Sequence, residues 1–143
     1  MDKFISLGLL LNRTSTAISS ALNAALTDAG IDLPHSQFIV LRCLYYNGEQ
    51  SQSDIARLLS KDAAAIKRTI DNLEQKGFVK RVPVRTLKNT VHITDDGKNI
   101  MPEVIKIAES VTERAFGELT PDRREELMSA LMKITNNLTN KNI

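Results

Sequence analysis

SQSDIARLLSKDAAAIKRTIDNLEQKGFVKR, residues 51–81, reads as two short helices separated by a tight turn. Ser51 opens the first helix, and an acid follows three residues later. Asp54 thus stands where a capping box usually carries Glu or Gln. Ile55, Ala56, Leu58 and Leu59 make its apolar face. After the turn Leu59-Ser60-Lys61, Asp62 caps a second helix over about Ala63 to Lys76. Ile66, Ile70 and Leu73 recur there at i, i+4 and i+7, which turns them inward. Gly77 is placed to end the helix in a left-handed conformation, with Phe78 closing the hydrophobic contact beyond it. A pair of helices at this spacing has the size of a helix-turn-helix.

Downstream the period changes. Val79, Arg81 and Pro83 lead into the polar stretch Arg85-Thr86-Leu87-Lys88-Asn89. Thr90-Val91-His92-Ile93-Thr94 then alternates polar and apolar, as a half-buried strand does. Two short strands joined by a basic loop predict a β-hairpin. Thr94-Asp95-Asp96 opens a long helix to about Gly117, with Ile100, Val104, Ile107, Ala108, Val111 and Ala115 on one side and Pro102 within it. Thr120-Pro121 starts a last helix marked by Leu127, Leu131, Ile134 and Leu138, frayed from Asn136 onward.

Upstream, about Asp2 to Asp28 reads as one helix, with Phe4, Leu7, Leu10/Leu11, Ile18, Ala21/Leu22 and Ala25 near the 3.6-residue period and Gly30 as its stop. A small domain seldom begins with so long a helix unless a partner covers part of it. Pro34 suits the first position of the next helix, which carries Phe38, Ile39, Leu41, Leu44 and Tyr45 and ends at Asn47-Gly48. One of Tyr45 and Tyr46 is expected in the core. The expected fold is mainly α with a small β-hairpin, in a chain of 143 residues that fits one domain.

Charge separates the central segment from the rest. Lys61–Thr90 holds eight basic residues (Lys61, Lys67, Arg68, Lys76, Lys80, Arg81, Arg85, Lys88) against Asp62, Asp71 and Glu74, a net of +5. The whole chain carries only +2, which leaves −3 elsewhere. Such a dipole attracts a polyanion at one place. On the helix Ala63–Lys76, the residues away from the buried stripe are Ala64, Ala65, Lys67, Arg68, Asp71 and Asn72. Small residues let a helix approach base edges closely, and Lys67 and Arg68 can bond a phosphate or a guanine edge. Lys and Arg are also common on any exposed helix face. The following hairpin, with Arg85 and Lys88, tips the balance toward nucleic acid.

At these residues the chain resembles the MarR-type (multiple antibiotic resistance regulator) family of winged helix-turn-helix transcription regulators. The resemblance runs through Gln52–Leu59, through Asp62–Arg81 as recognition helix and exit, and through Val91-His92-Ile93-Thr94-Asp95-Asp96-Gly97 at the end of the wing. Leu33-Pro34-His35-Ser36-Gln37-Phe38 resembles the start of the preceding helix, with Pro34 where Thr is usual.

The resemblance implies a single MarR-like domain over residues 1–143. Within it, about 33–94 would be the DNA-binding lobe, and about 2–29 and 95–139 the helices of a homodimer. It implies a near-palindromic operator in double-stranded DNA, usually repression, and in many members release by a small, often phenolic, ligand. The expected DNA-binding residues are Ser51, Ser53, Ala64, Ala65, Lys67, Arg68, Asn72, Arg85, Lys88 and Asn89. Arg68 aligns with an Arg typical of the family's recognition helix. Ala64, Ala65 and Lys67 replace positions that often carry Ser or Thr. The wing loop Val84–Asn89 is shorter than usual and lacks the Asp that normally braces the wing arginine, so Arg85 and Lys88 stand as alternative tip cations.

Other functions find little support. No stretch approaches the ~18–20 apolar residues of a membrane span, and no leader is evident at the N-terminus, so a cytoplasmic location without membrane contact is expected. One cysteine and two histidines are too few for a zinc cluster. No phosphate loop, HExxH or nucleophile elbow is present, and neither an enzyme nor a cofactor is expected. Cys43, beside Leu41 and Leu44, reads as a small apolar residue rather than a redox sensor. A winged-helix module that docks an acidic protein remains the alternative to a DNA-binding regulator.

Overall fold

The computed structural model describes residues 3–85 and 88–139. Thr86 and Leu87 of the expected wing loop, the start of the first helix expected at Asp2, and the tail from residue 140 lie outside the described residues. The elements follow the order α1 (Leu7–Asp28), α2 (His35–Asn47), β1 (Gln50–Ser51), α3 (Gln52–Leu58), α4 (Ala63–Gln75), β2 (Val79–Arg85), β3 (Lys88–Ile93), α5 (Asp95–Phe116) and α6 (Pro121–Thr139). The fold is mainly helical with a small antiparallel sheet, as expected. The chain divides into two compact units, Met1–Val111 and Thr112–Ile143.

The core of the first unit gathers apolar residues from its helices and from β2 and β3. Leu22 and Leu26 come from α1, and Phe38, Val40, Leu41 and Leu44 from α2. Ile55 comes from α3, and Ile66, Ile70 and Leu73 from α4. Val79, Val91, Met101 and Val104 complete it. The inward stripe of α4 is the one its spacing predicted. Cys43 is buried, and its sulfur accepts a hydrogen bond from the Asn47 side chain at 3.7 Å.

Several boundaries differ from expectation for local reasons. The helix α1 begins at Leu7, because Ser6 supplies a cap whose hydroxyl accepts from the Leu9 N–H at 3.2 Å. Pro34 is the N-cap of α2 rather than its first helical residue, in extended conformation (ψ 155°). Its ring has no capping oxygen, and the exposed His35 N–H instead donates to Asn23 Oδ1 of α1 at 2.7 Å. Leu58 is 55% exposed, whereas Leu59 packs against the core. Tyr45 and Tyr46 are both exposed and pack edge to face, so neither fills the core. Pro102 sits on the exposed side of α5, which continues to Phe116. The helix α6 runs through Asn136 to Thr139, where the Thr135 and Thr139 hydroxyls donate to carbonyls four residues back.

The sheet has a third strand beside the expected hairpin. Its order is β1-β3-β2, all antiparallel, with Gln50 opposite Val91 and Val79 opposite Ile93. The two-residue β1 ties the entry of α3 to the inner strand of the wing. The turn between α3 and α4 passes through Ser60 at φ +52°.

In the second unit, the Arg124 guanidinium lies over the Phe116 ring at 5.0 Å. It donates to the Glu113 carboxylate at 2.8 and 3.0 Å and to the Leu119 carbonyl at 2.8 Å, fixing the turn before α6.

Candidate nucleic-acid interface

The recognition helix is anchored at both ends. At its start, Asp62 Oδ1 accepts the Ala65 N–H at 2.8 Å. At its end, Gly77 adopts φ +79° and a paired closure forms: the Phe78 N–H reaches the Leu73 carbonyl and the Gly77 N–H the Glu74 carbonyl, both at 3.0 Å. The preceding helix α3 is capped by the Ser51 hydroxyl, which accepts from the Asp54 N–H at 3.1 Å.

Capping and the inward stripe fix which side chains α4 shows to solvent. Ala64, Lys67, Arg68 and Asn72 are exposed and Ala65 is half-buried. Arg68 has no ion pair or side-chain hydrogen bond among the described residues, which leaves all its donors available to a ligand. Lys67 is exposed as well, but its ammonium lies 3.1 Å from Asp71 Oδ2.

Arg85 and Lys88 are cross-strand partners beyond an irregularity at Pro83–Arg85, so both cations stand at the described end of the hairpin. Asn89 faces Pro83. Lys88 and Asn89, with Ser51, Gln52 and Ser53, line a hollow of about 190 Å³ between the start of α3 and the wing. Of the expected residues, Ala64, Ala65, Lys67, Arg68 and Asn72 thus lie on α4, Ser51, Ser53, Lys88 and Asn89 around this hollow, and Arg85 at the described end of the hairpin.

One residue that the sequence reading only counted as a charge joins α3 and α4 to the wing. Arg81 on β2 donates from Nε to Gln52 Oε1 at 2.9 Å, from Nη1 to Glu74 Oε1 at 2.9 Å and from Nη2 to Asp71 Oδ1 at 2.7 Å. Its backbone N–H also donates to Glu74 Oε2 at 3.2 Å. The acids at 71 and 74, three residues apart on α4, were the available signal: they sit on one helix face with a cation on the next strand. The Lys67 and Arg81 hydrogen bonds hold the Asp71 carboxyl below the usual carboxylate range.

Lys76 is likewise turned to an internal task. Its ammonium donates to the Asp32 carbonyl at 2.7 Å and to Gln37 Oε1 at 2.6 Å, fastening the end of α4 to the α1–α2 loop and to the first turn of α2. Of the basic residues in Lys61–Thr90, this leaves Lys61, Arg68, Lys80, Arg85 and Lys88 outside ion pairs among the described residues.

A three-stranded wing beside a capped helix pair, whose second helix shows Lys67 and Arg68 to solvent, defines a winged helix-turn-helix protein. Residues 33–84 match the model of the MarR family. The chain is 27% identical over 132 residues to an HTH-type transcriptional repressor of Mycobacterium bovis, covering 90% of this chain and 92% of that one. A structure of Bordetella bronchiseptica BpsR, whose DNA binding is regulated by 6-hydroxynicotinic acid, superposes with a TM-score of 0.83. It shares 26% identity over 95% of this chain and 98% of that one. An Escherichia coli MarR mutant in complex with operator DNA gives a TM-score of 0.82 at 25% identity, over 93% and 96% of the two chains. Residues 33–84 carry the MarR-family winged helix-turn-helix, and the relatives and fold neighbours that span most of the chain are transcription regulators of this kind.

Proposed function

We propose that this protein is a homodimeric repressor that places α4 of each subunit in a major groove of its operator and sets the wing against the flanking backbone. The observation that carries the reading is Arg68: exposed, unpaired among the described residues, on the outer face of a rigidly capped helix, beside a wing whose described end presents Arg85 and Lys88. A guanidinium in that position reads guanine bidentately or clamps a phosphate. Lys67, Asn72, Arg85, Lys88 and Asn89 add backbone and edge contacts, with Ser51 and Ser53 as hydroxyl donors near the wing. Ala64 and Ala65 let the helix lie close to the bases. Half-sites then lie about one helical turn, ~34 Å, apart.

The protein acts by binding rather than by catalysis, in the cytoplasm, without membrane or cofactor. No helix among the described residues is long and apolar enough to cross a membrane. A small aromatic or phenolic ligand that releases DNA fits this reading, supported by the ligand-regulated BpsR relative.

The test is selection of a binding sequence from a random duplex pool, followed by titration of native protein and Arg68→Ala against it. Loss of ~1–3 kcal/mol with relaxed preference at one base position is expected if Arg68 reads a base. Unchanged affinity and preference would remove Arg68 from the interface. Failure to select any sequence would favour an acidic protein as the partner of this face.

A further inference from the structure

Lys67 differs from the other cations of the α4 face, because it meets a carboxylate before it meets any ligand. Its partner, Asp71, divides its two oxygens. Oδ2 holds the Lys67 ammonium at 3.1 Å, and Oδ1 holds Arg81 Nη2 at 2.7 Å. The two halves are not equivalent. The Lys67 side chain is 65% exposed, whereas that of Arg81 is only 17% exposed and is fixed from three sides by Gln52, Glu74 and Asp71. An exposed lysine pair on a helix surface is weak and easily exchanged for another anion, while a sheltered, multiply bonded arginine is not.

We propose that Asp71 holds Lys67 in reserve in the free protein, and that Arg81 is the positioning residue that lets Lys67 leave for a DNA phosphate. This rests on the DNA-binding reading above. When a phosphate approaches, the Lys67 ammonium transfers to it and Asp71 keeps its bond to the Arg81 guanidinium, which it shares with Glu74. Without Arg81, Asp71 has Lys67 as its one remaining cation and retains it. Arg81 thus governs how many phosphates the α4 face neutralises without touching DNA itself. The carboxylate left beside α4 also disfavours a phosphate in any register other than the one that draws Lys67 away, which adds selectivity.

The salt dependence of binding to a labelled mixed-sequence DNA duplex reads this directly, since each phosphate contact contributes ~0.9 to the slope of log K against log salt. Lys67→Gln should lower the slope by ~0.9 relative to the native protein. Arg81→Gln should lower it by the same amount, and Arg81→Gln with Asp71→Asn should restore it, because the lysine then has no carboxylate to stay with. A purely architectural role for Arg81 predicts the opposite, since removing Asp71 as well can only loosen the wing further. Asp71→Asn alone, which leaves Arg81 bound to Glu74 and Gln52, keeps the test valid if Arg81→Gln does not fold. It should bind the mixed duplex several-fold more tightly than native protein at low salt. A native slope with no loss in Lys67→Gln, no recovery in the double variant, or no tightening in Asp71→Asn would overturn this inference alone. A flat salt response in the native protein would instead sink the DNA-binding reading.

Discussion

Arg68 and Lys67 are adjacent in sequence and both exposed, yet their environments differ in kind: one is unpaired among the described residues and the other is already answered by Asp71. Periodicity placed both on the outer face, because it reports the direction of a side chain. It does not report what the side chain meets. Arg81 shows the same limit more sharply. Its partner Gln52 lies 29 residues away in sequence, and only the packed arrangement of α3, α4 and β2 brings them together.

His35 gives a residue-scale prediction of its own. Burial first, and then the charge of Lys61, hold its imidazole below the ordinary value of 6.5. A histidine depressed in the folded state is protonated sooner in the unfolded chain. Stability is therefore full above about pH 6.5 and falls as pH drops from there through the folded-state value. Denaturant midpoints measured from pH 7 to pH 5 should decline in native protein and decline less in His35→Gln. Equal declines would show that His35 does not govern that limb.

At the scale of elements, the joint between the recognition helix and α5 is the tightest point. The Thr94 hydroxyl donates to the Gly77 carbonyl at 2.6 Å and accepts the Gly97 N–H at 3.1 Å, and the Thr94 N–H meets the Phe78 carbonyl at 3.0 Å. Gly97 then passes so close that an added Cβ would collide with the Phe78 carbonyl oxygen and lie 2.7 Å from Ile93 Cγ1. Gly97→Ala should destabilise by ~1–3 kcal/mol, as forced overpacking does. Chemical denaturation checks it, and a stability equal to native would mean that the joint is looser than this.

The helices and the hairpin were legible because their signals are local: Ser51 and Asp62 as caps, Gly77 as a terminator, and the alternation of residues 90–94. The strand β1 was not, since two residues gain strand character only from pairing with β3. Leu58, expected on the apolar face with Leu59, is exposed because the helix ends between them, and the turn through Ser60 sends the chain off at an angle that no periodicity encodes. Pro34 moved to the cap because an acceptor from another helix, Asn23 Oδ1 of α1, rather than its own side chain, meets the first N–H of α2.

At the scale of the whole molecule, apolar surface remains uncovered. In α1, Leu7, Leu10 and Ile18 are exposed. In α6, Leu127, Met128, Met132 and Leu138 are exposed, and no residue of that helix is buried. Amphipathic helices with open apolar faces are stable where a partner covers them, and a second copy of this chain is the partner proposed. Sedimentation should give a dimer at micromolar concentration, and Leu10→Glu should shift it toward monomer. A native monomer under those conditions would remove the two-fold arrangement that a near-palindromic operator requires.

If the two α4 faces engage one duplex together, footprinting of the native protein on its selected sequence over a range of salt concentrations will show it. Two protected patches about one helical turn apart on one side of the duplex, lost together as salt rises, are expected. A single patch, or protection indifferent to both sequence and salt, would contradict it.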